Sequence, residues 1–288
     1  MNNIFNTKRF GIVLSNDLLL SKNNFGLSLL ICGTMPAIIF LIYELFYRII
    51  MGDWGEMNVA WKVTSLCISY LVVIFNFGTK VYGHITEKRA GTSWLLTPAS
   101  TFEKWLSTIL VSCVVLPLCF FAIFAATDGI LSLIFNGTYG DSLVFNSNIL
   151  NPNAEEFGEG SFLNFFGAQL GSNLLDGSEE YIRFSFLPIM YMSWVCSILT
   201  FVLGAVFFKK SKVGKTFLAL MAVSMVLSSI ESAFLIPYIN DGSLERFVER
   251  MTPTNMLDSF NLITNISYII TAGLLMAGIY YRYRTIKH

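Results

Sequence analysis

The sequence predicts an all-α, polytopic membrane protein with six transmembrane helices and both termini in the cytoplasm. Three observations carry that expectation. Hydrophobic residues make up 54% of the 288 residues and charged ones only 13%, against about 25% charged in a soluble domain; the mean hydropathy is +0.61. Six apolar runs each approach or exceed the roughly 20 residues needed to cross a hydrocarbon core of about 30 Å. Lysine and arginine, finally, are shared unevenly among the segments that join those runs.

The six runs are 27–49, 60–81, 105–130, 184–208, 216–238 and 260–281. They are close to uniformly apolar rather than alternating with period 2, which favours helices that satisfy their own backbone hydrogen bonds over a barrel. Residues 1–26 form a cytoplasmic segment holding Lys8, Arg9, Asp17 and Lys22. No small-residue cleavage site follows a short apolar stretch there, so the first run is expected to stay in the mature chain.

Orientation follows from the basic residues. Fourteen of the 19 lie in the amino-terminal segment, between the second and third runs, in the loop Lys209, Lys210, Lys212, Lys215, and in the tail 282–288; the other five are Arg48, Lys62, Arg183, Arg246 and Arg250. That bias puts both termini inside. The outer loops gather Asp141, Glu155, Glu156, Glu159, Asp176, Glu179 and Glu180, so a net charge of zero conceals a polarised molecule with no basic patch suited to nucleic acid.

Chemistry-bearing motifs are few. Cys32, Cys67, Cys113, Cys119 and Cys196 all fall in apolar runs without a CxxC pair and read as small buried side chains. His84 and His288 are too few and too far apart to found a metal site. Gly214, Lys215 and Thr216 end like a phosphate-binding loop, but position 209 is Lys where the motif needs Gly. No HExxH or GxSxG is present, so the chain is not expected to be an enzyme, and no catalytic residue or bound cofactor is assigned.

The densest mix of charge, Gly and Pro is "GHITEKRAGTSWLLTPASTFEKWLS", Gly83–Ser107. The second span is expected to continue as a helix until Gly91, a residue suited to a left-handed helix stop. Trp94, Leu95 and Leu96 would then sit on a short amphipathic turn that Pro98 prevents from extending. Ser100 and Glu103 have the spacing of a capping box that starts the third span. The product would be a short helix between two spans presenting an apolar patch flanked by Glu87, Lys88, Arg89 and Lys104. An ordinary hairpin with Trp94 and Trp105 at the headgroup level fits the same residues.

This stretch resembles the loop between the second and third spans of type-2 ATP-binding-cassette (ABC) transporter permeases. The matching residues are Glu87, Arg89, Gly91, Thr92, Leu95, Leu96, Pro98, Ser100 and Glu103, with Lys88 beside them. The resemblance covers about 20 residues, to which six spans, inside termini and the loop's position add weight. It implies a multi-pass subunit of a bacterial cytoplasmic membrane, most often an exporter, that pairs with a second permease subunit. It also implies a separate ATPase subunit, which carries ATP and Mg and receives a coupling helix within 84–104. A membrane sensor or immunity subunit that docks an ATPase without transporting is the alternative.

Two further expectations come with the resemblance. One is an interfacial helix before the first span, for which Phe10–Lys22 is the candidate; the other is a pair of short helices dipping in from outside, for which 240–259 is an amphipathic candidate. The long outer segment 136–183 departs from many members and reads as an external cap. Glu231 follows Ser224 and Ser228 and precedes Ser232 on the fifth span. This stripe of small residues suits close helix packing, or a pathway wall with Glu231 at its mouth. Glu44 and Asp128 lie near the outer boundary and are expected to be solvated there.

Overall fold

The computed structural model describes residues 5–87, 91, 94, 96–144, 186–240 and 253–286. At 59, 186–190, 230–231, 233–240 and 253–261 only the backbone is described. Among the described residues the fold is all-helical, without a strand. Helices α1 (Thr7–Gly33), α2 (Met35–Met51) and α3 (Val59–Phe77) are followed by α4 (Thr101–Leu110), α5 (Leu116–Ile134), the single turn α6 (Asn136–Tyr139), α7 (Phe186–Phe207), α8 (Lys212–Asn240) and α9 (Pro253–Thr285).

Helix α1 starts where Asn6 caps it, the side chain accepting hydrogen bonds from the Lys8 and Arg9 amides. It runs unbroken through the expected boundary at residues 26 and 27. The break falls at Thr34, where α1 and α2 meet at 43°. Pro36 explains the position, since its ring cannot follow a helical carbonyl four residues back and it has no N–H to donate. Thr34 Oγ1 donates to the carbonyls of Leu30 and Ile31 and so satisfies part of the exposed turn. The segment expected to be a separate interfacial helix is therefore the first half of a long, bent element, because nothing between Lys22 and Gly33 stops it.

Among the described residues, four helices are long and apolar enough to cross a membrane: Ala60–Thr86, Thr101–Ile134, Lys212–Ser229 and Leu262–Thr285; the bent pair α1 and α2 makes a fifth if taken as one span. Helix α7 is apolar along its 22 residues. Its Ile198, Leu199, Val202 and Val206 are wholly buried and form the centre of the core. Around it pack α3, α8, α9 and the turn that prolongs α3.

Two π-helical turns interrupt the bundle, Gly78–Tyr82 after α3 and Val111–Val115 between α4 and α5. The second has a local cause. Pro117, just inside α5, denies the Cys113 carbonyl its helical donor, and the widened turn relieves the ring clash. Tyr191 Oη supplies the missing hydrogen bond to Cys113 O at 2.7 Å, which matters where no water competes. The first π turn lies against α7 so closely that a Cβ on Gly78 would come within 2.8 Å of the Phe201 carbonyl oxygen. Glycine is needed at that crossing.

Helices α8 and α9 are peripheral. Leu218, Val223, Met225 and Val226 of α8, and Ile263, Ile270 and Leu274 of α9, are exposed apolar side chains, the pattern expected of helix faces against lipid or another subunit.

Candidate functional site

Four segments expected to be cytoplasmic meet at one end of the bundle. The amino terminus reaches the start of α4 through Glu103, whose carboxylate accepts from the Asn6 amide (2.8 Å), Arg9 Nε (2.7 Å), Arg9 Nη2 (2.8 Å) and the Ser100 amide (2.9 Å). The start of α8 reaches the end of the second span, where Lys212 Nζ donates to the Gly83 carbonyl and lies 3.5 Å from Glu87. The carboxy-terminal helix reaches the loop, Tyr283 stacking edge-on to Trp94 at 4.9 Å.

The loop begins earlier than the sequence implied. A 3₁₀ turn, Gly83–Thr86, ends the second span, and Glu87 is extended. Gly91 does not stop a helix; its amide donates to the Glu87 carbonyl at 2.8 Å, and it is helical, as are Trp94 and Leu96 further along the stretch between the spans. The break instead follows the extended backbone at Glu87. Lys88, Arg89, Thr92 and Leu95 lie outside the described residues.

Beyond Leu96 the expected capping box forms in full: Ser100 Oγ accepts from the Glu103 amide, and Glu103 answers to the Ser100 amide. Glu103 is completely buried. With four donors on its two oxygens it is a structural clasp, not a side chain offered to a partner. A second brace comes from Lys104, whose ammonium donates to the Trp94 carbonyl at 2.6 Å and rests 4.5 Å above the Trp94 ring. Trp105 is not free at a membrane surface either, since its indole N–H donates to Met276 O at 2.8 Å.

What remains outward is Leu96, 81% exposed, with Pro98 also exposed and Glu87 beside the Lys212 ammonium. A large apolar side chain stands exposed on a segment whose flanks are tied to α1, α4, α8 and α9.

Among the described residues, the candidate pathway serines do not assemble into a lined channel. Ser224, Ser228 and Ser232 are exposed on α8, and each hydroxyl bonds its own helix, at Met221 O (2.9 Å), Met225 O (3.2 Å) and Ser228 O (2.7 Å). The Glu231 side chain lies outside the described residues, as do 145–183 and 241–252.

The opposite end holds a cluster that sequence reasoning missed. Asp128, expected to be solvated, is completely buried. It accepts from Tyr139 Oη (2.5 Å), Ser142 Oγ (2.5 Å) and the Val144 amide (3.0 Å). Lys62 is buried beside it, donating to Asp141 O at 2.5 Å and lying 4.2 Å from the Tyr139 ring. Glu44, also expected to be solvated, is 4% exposed. Only the aromatic and hydroxyl residues at 139–142, just after a helix end, hinted at a partner for Asp128. No three His, Cys, Asp or Glu side chains gather as a metal site among the described residues. Comparison with protein-family models, characterised proteins and solved structures finds no match to the chain.

Proposed function

We propose that this chain is the membrane-spanning permease subunit of an ATP-driven transporter of the type-2 ABC class. In this reading six spans cross the membrane, with α7 as the fourth, and both termini and the loop 84–104 face the cytoplasm. Two such subunits form a dimer, and each docks one separate ATPase subunit through its short helix. ATP and Mg belong to that partner. Closure of the ATPases would pull on the loop and move α1, α4, α8 and α9 together, and export is the direction the sequence resemblance implies.

The observation that supports the reading best is the pairing of an exposed Leu96 with a base that is bolted to four long helices. A hairpin that merely joined two spans would need neither the four-donor clasp at Glu103 nor the Lys104 brace under Trp94. The test is affinity purification of the tagged chain from its native membrane under mild extraction, followed by mass spectrometry and ATP hydrolysis in liposomes. A soluble ABC-type ATPase should copurify, and its hydrolysis should drive movement of a substrate across the bilayer. Absence of any ATPase would overturn the proposal, and an ATPase that docks and is regulated without vectorial movement would leave a sensor.

A further inference from the structure

Where α7 ends and α8 begins, beside the last turn of α9, positive charge collects without a counter-charge. Arg282 of α9 donates from Nε to the Val206 carbonyl at 3.3 Å, and its guanidinium lies 5.4 Å from the centroid of the Phe207 ring. Lys209 and Lys210 follow Phe207 by two and three residues, so their Cα atoms stand within about 11 Å of its own. Both lysines are exposed. Cations from two parts of the chain thus meet at one corner of the bundle, two held there by covalent linkage and one by direct contact.

None of these charges is neutralised within the described residues. The ion pairs there are Arg9 with Glu103 and Lys212 with Glu87, and the first turn of α8 adds no acid. Among the same residues, Nε is the one nitrogen of Arg282 that finds an acceptor. The turn itself is held in one shape. Ser211 takes a left-handed φ of 51°, which residues other than glycine adopt rarely, and Lys212 Nζ ties the turn to the Gly83 carbonyl. Phe207 is 57% exposed, with the Phe208 ring edge-on to it at 5.3 Å, so an apolar aromatic surface adjoins the cations.

We propose that Arg282, Lys209 and Lys210, with the Phe207 ring beside them, bind the headgroup phosphate of an anionic phospholipid. Arg282 is fixed through Nε and keeps its terminal nitrogens for phosphate oxygens, whose geometry the guanidinium fork matches. The two ammonium groups add the charge that draws an anionic headgroup to a basic pocket between spans. A lipid suits the corner better than a free anion does, because Phe207 ends a 22-residue apolar helix and offers acyl chain an apolar face next to the charges. Membrane orientation alone asks for basic residues anywhere in an inside loop; it does not ask that one of them be docked on the ring that the others follow. The site requires α7 and α9 to lie in a bilayer and is independent of transport and of ATPase docking.

The test uses the purified full-length chain in a neutral detergent without an ATPase. Thermal unfolding is followed by tryptophan fluorescence with phosphatidylglycerol, phosphatidylcholine or inorganic phosphate added at equal concentration. Phosphatidylglycerol should raise the midpoint by roughly 2–4 °C over phosphatidylcholine, as a ligand bound only by the folded state does, and inorganic phosphate should leave it unchanged. Lys209→Gln combined with Lys210→Gln should at least halve the lipid shift, and Arg282→Gln should do the same. Lys8→Gln combined with Lys22→Gln, which removes two exposed lysines of α1, should retain it. Equal midpoints in the two lipids, a shift reproduced by inorganic phosphate, or a shift halved equally by the α1 pair overturns the site. A shift undiminished in the Lys209 and Lys210 pair overturns it too, whether or not Arg282→Gln folds.

Discussion

Leu96 offers the sharpest test of the docking surface. Its side chain is 81% exposed, so nearly the whole of its burial free energy is available to a partner. Full burial of a leucine is worth about 1.5–3 kcal/mol, of which the exposed fraction gives ~2 kcal/mol. Leu96→Asp forfeits that and adds at least ~1 kcal/mol for desolvating a carboxylate in an apolar groove. The sum, about 3 kcal/mol, corresponds to a ~10²-fold weaker affinity for the ATPase. Folding should be untouched, because exposed positions away from caps and networks usually change stability by less than about 0.5 kcal/mol. The assay is titration of the detergent-solubilised chain with the ATPase that the proposed function expects to copurify, beside a thermal-unfolding control. Leu96→Met should retain most of the affinity. An Asp variant that binds within about threefold of wild type, a difference under 1 kcal/mol, would show that Leu96 is not buried on docking.

Other expectations concern the frame that holds Leu96. Asp128→Ala removes the common acceptor of Tyr139, Ser142 and the Val144 amide and should cost about 3–5 kcal/mol, read as a midpoint lowered by roughly 10 °C; an unchanged midpoint would mean that the clasp is not formed. Gly78→Val forces a branched side chain toward the Phe201 carbonyl oxygen, which lies only 2.8 Å from where the new Cβ would stand, and should cost at least ~2 kcal/mol, whereas normal folding would refute the close crossing. Tyr191→Phe leaves the Cys113 carbonyl opposite Pro117 without its donor and should lower stability by ~1–2 kcal/mol, with no loss expected if Pro117 is also replaced by Ala. A fluorescent protein fused after His288 should fluoresce and a phosphatase fused there should be inactive; the reverse pattern would invert the orientation.

Much of the fold was legible because its causes are local. The apolar runs and the capping box at Ser100 and Glu103 each depend on a few neighbouring residues, and so do the breaks at Pro36 and Pro117, which were expected to lie inside unbroken spans. The outward position of Leu96 and Pro98 was legible for the same reason, since both lie within one short stretch. What could not be read is set by distance along the chain. Glu103 reads, in sequence, as the second half of a capping box, and only the fold brings Arg9 to it from 94 residues away. That one contact changes its role from partner recognition to internal bracing. Asp128 follows the same logic: it reads as an isolated acid near a boundary, to be solvated there, until residues from beyond its helix arrive around it. For Asp128 the donors suffice, three of them closing on two oxygens.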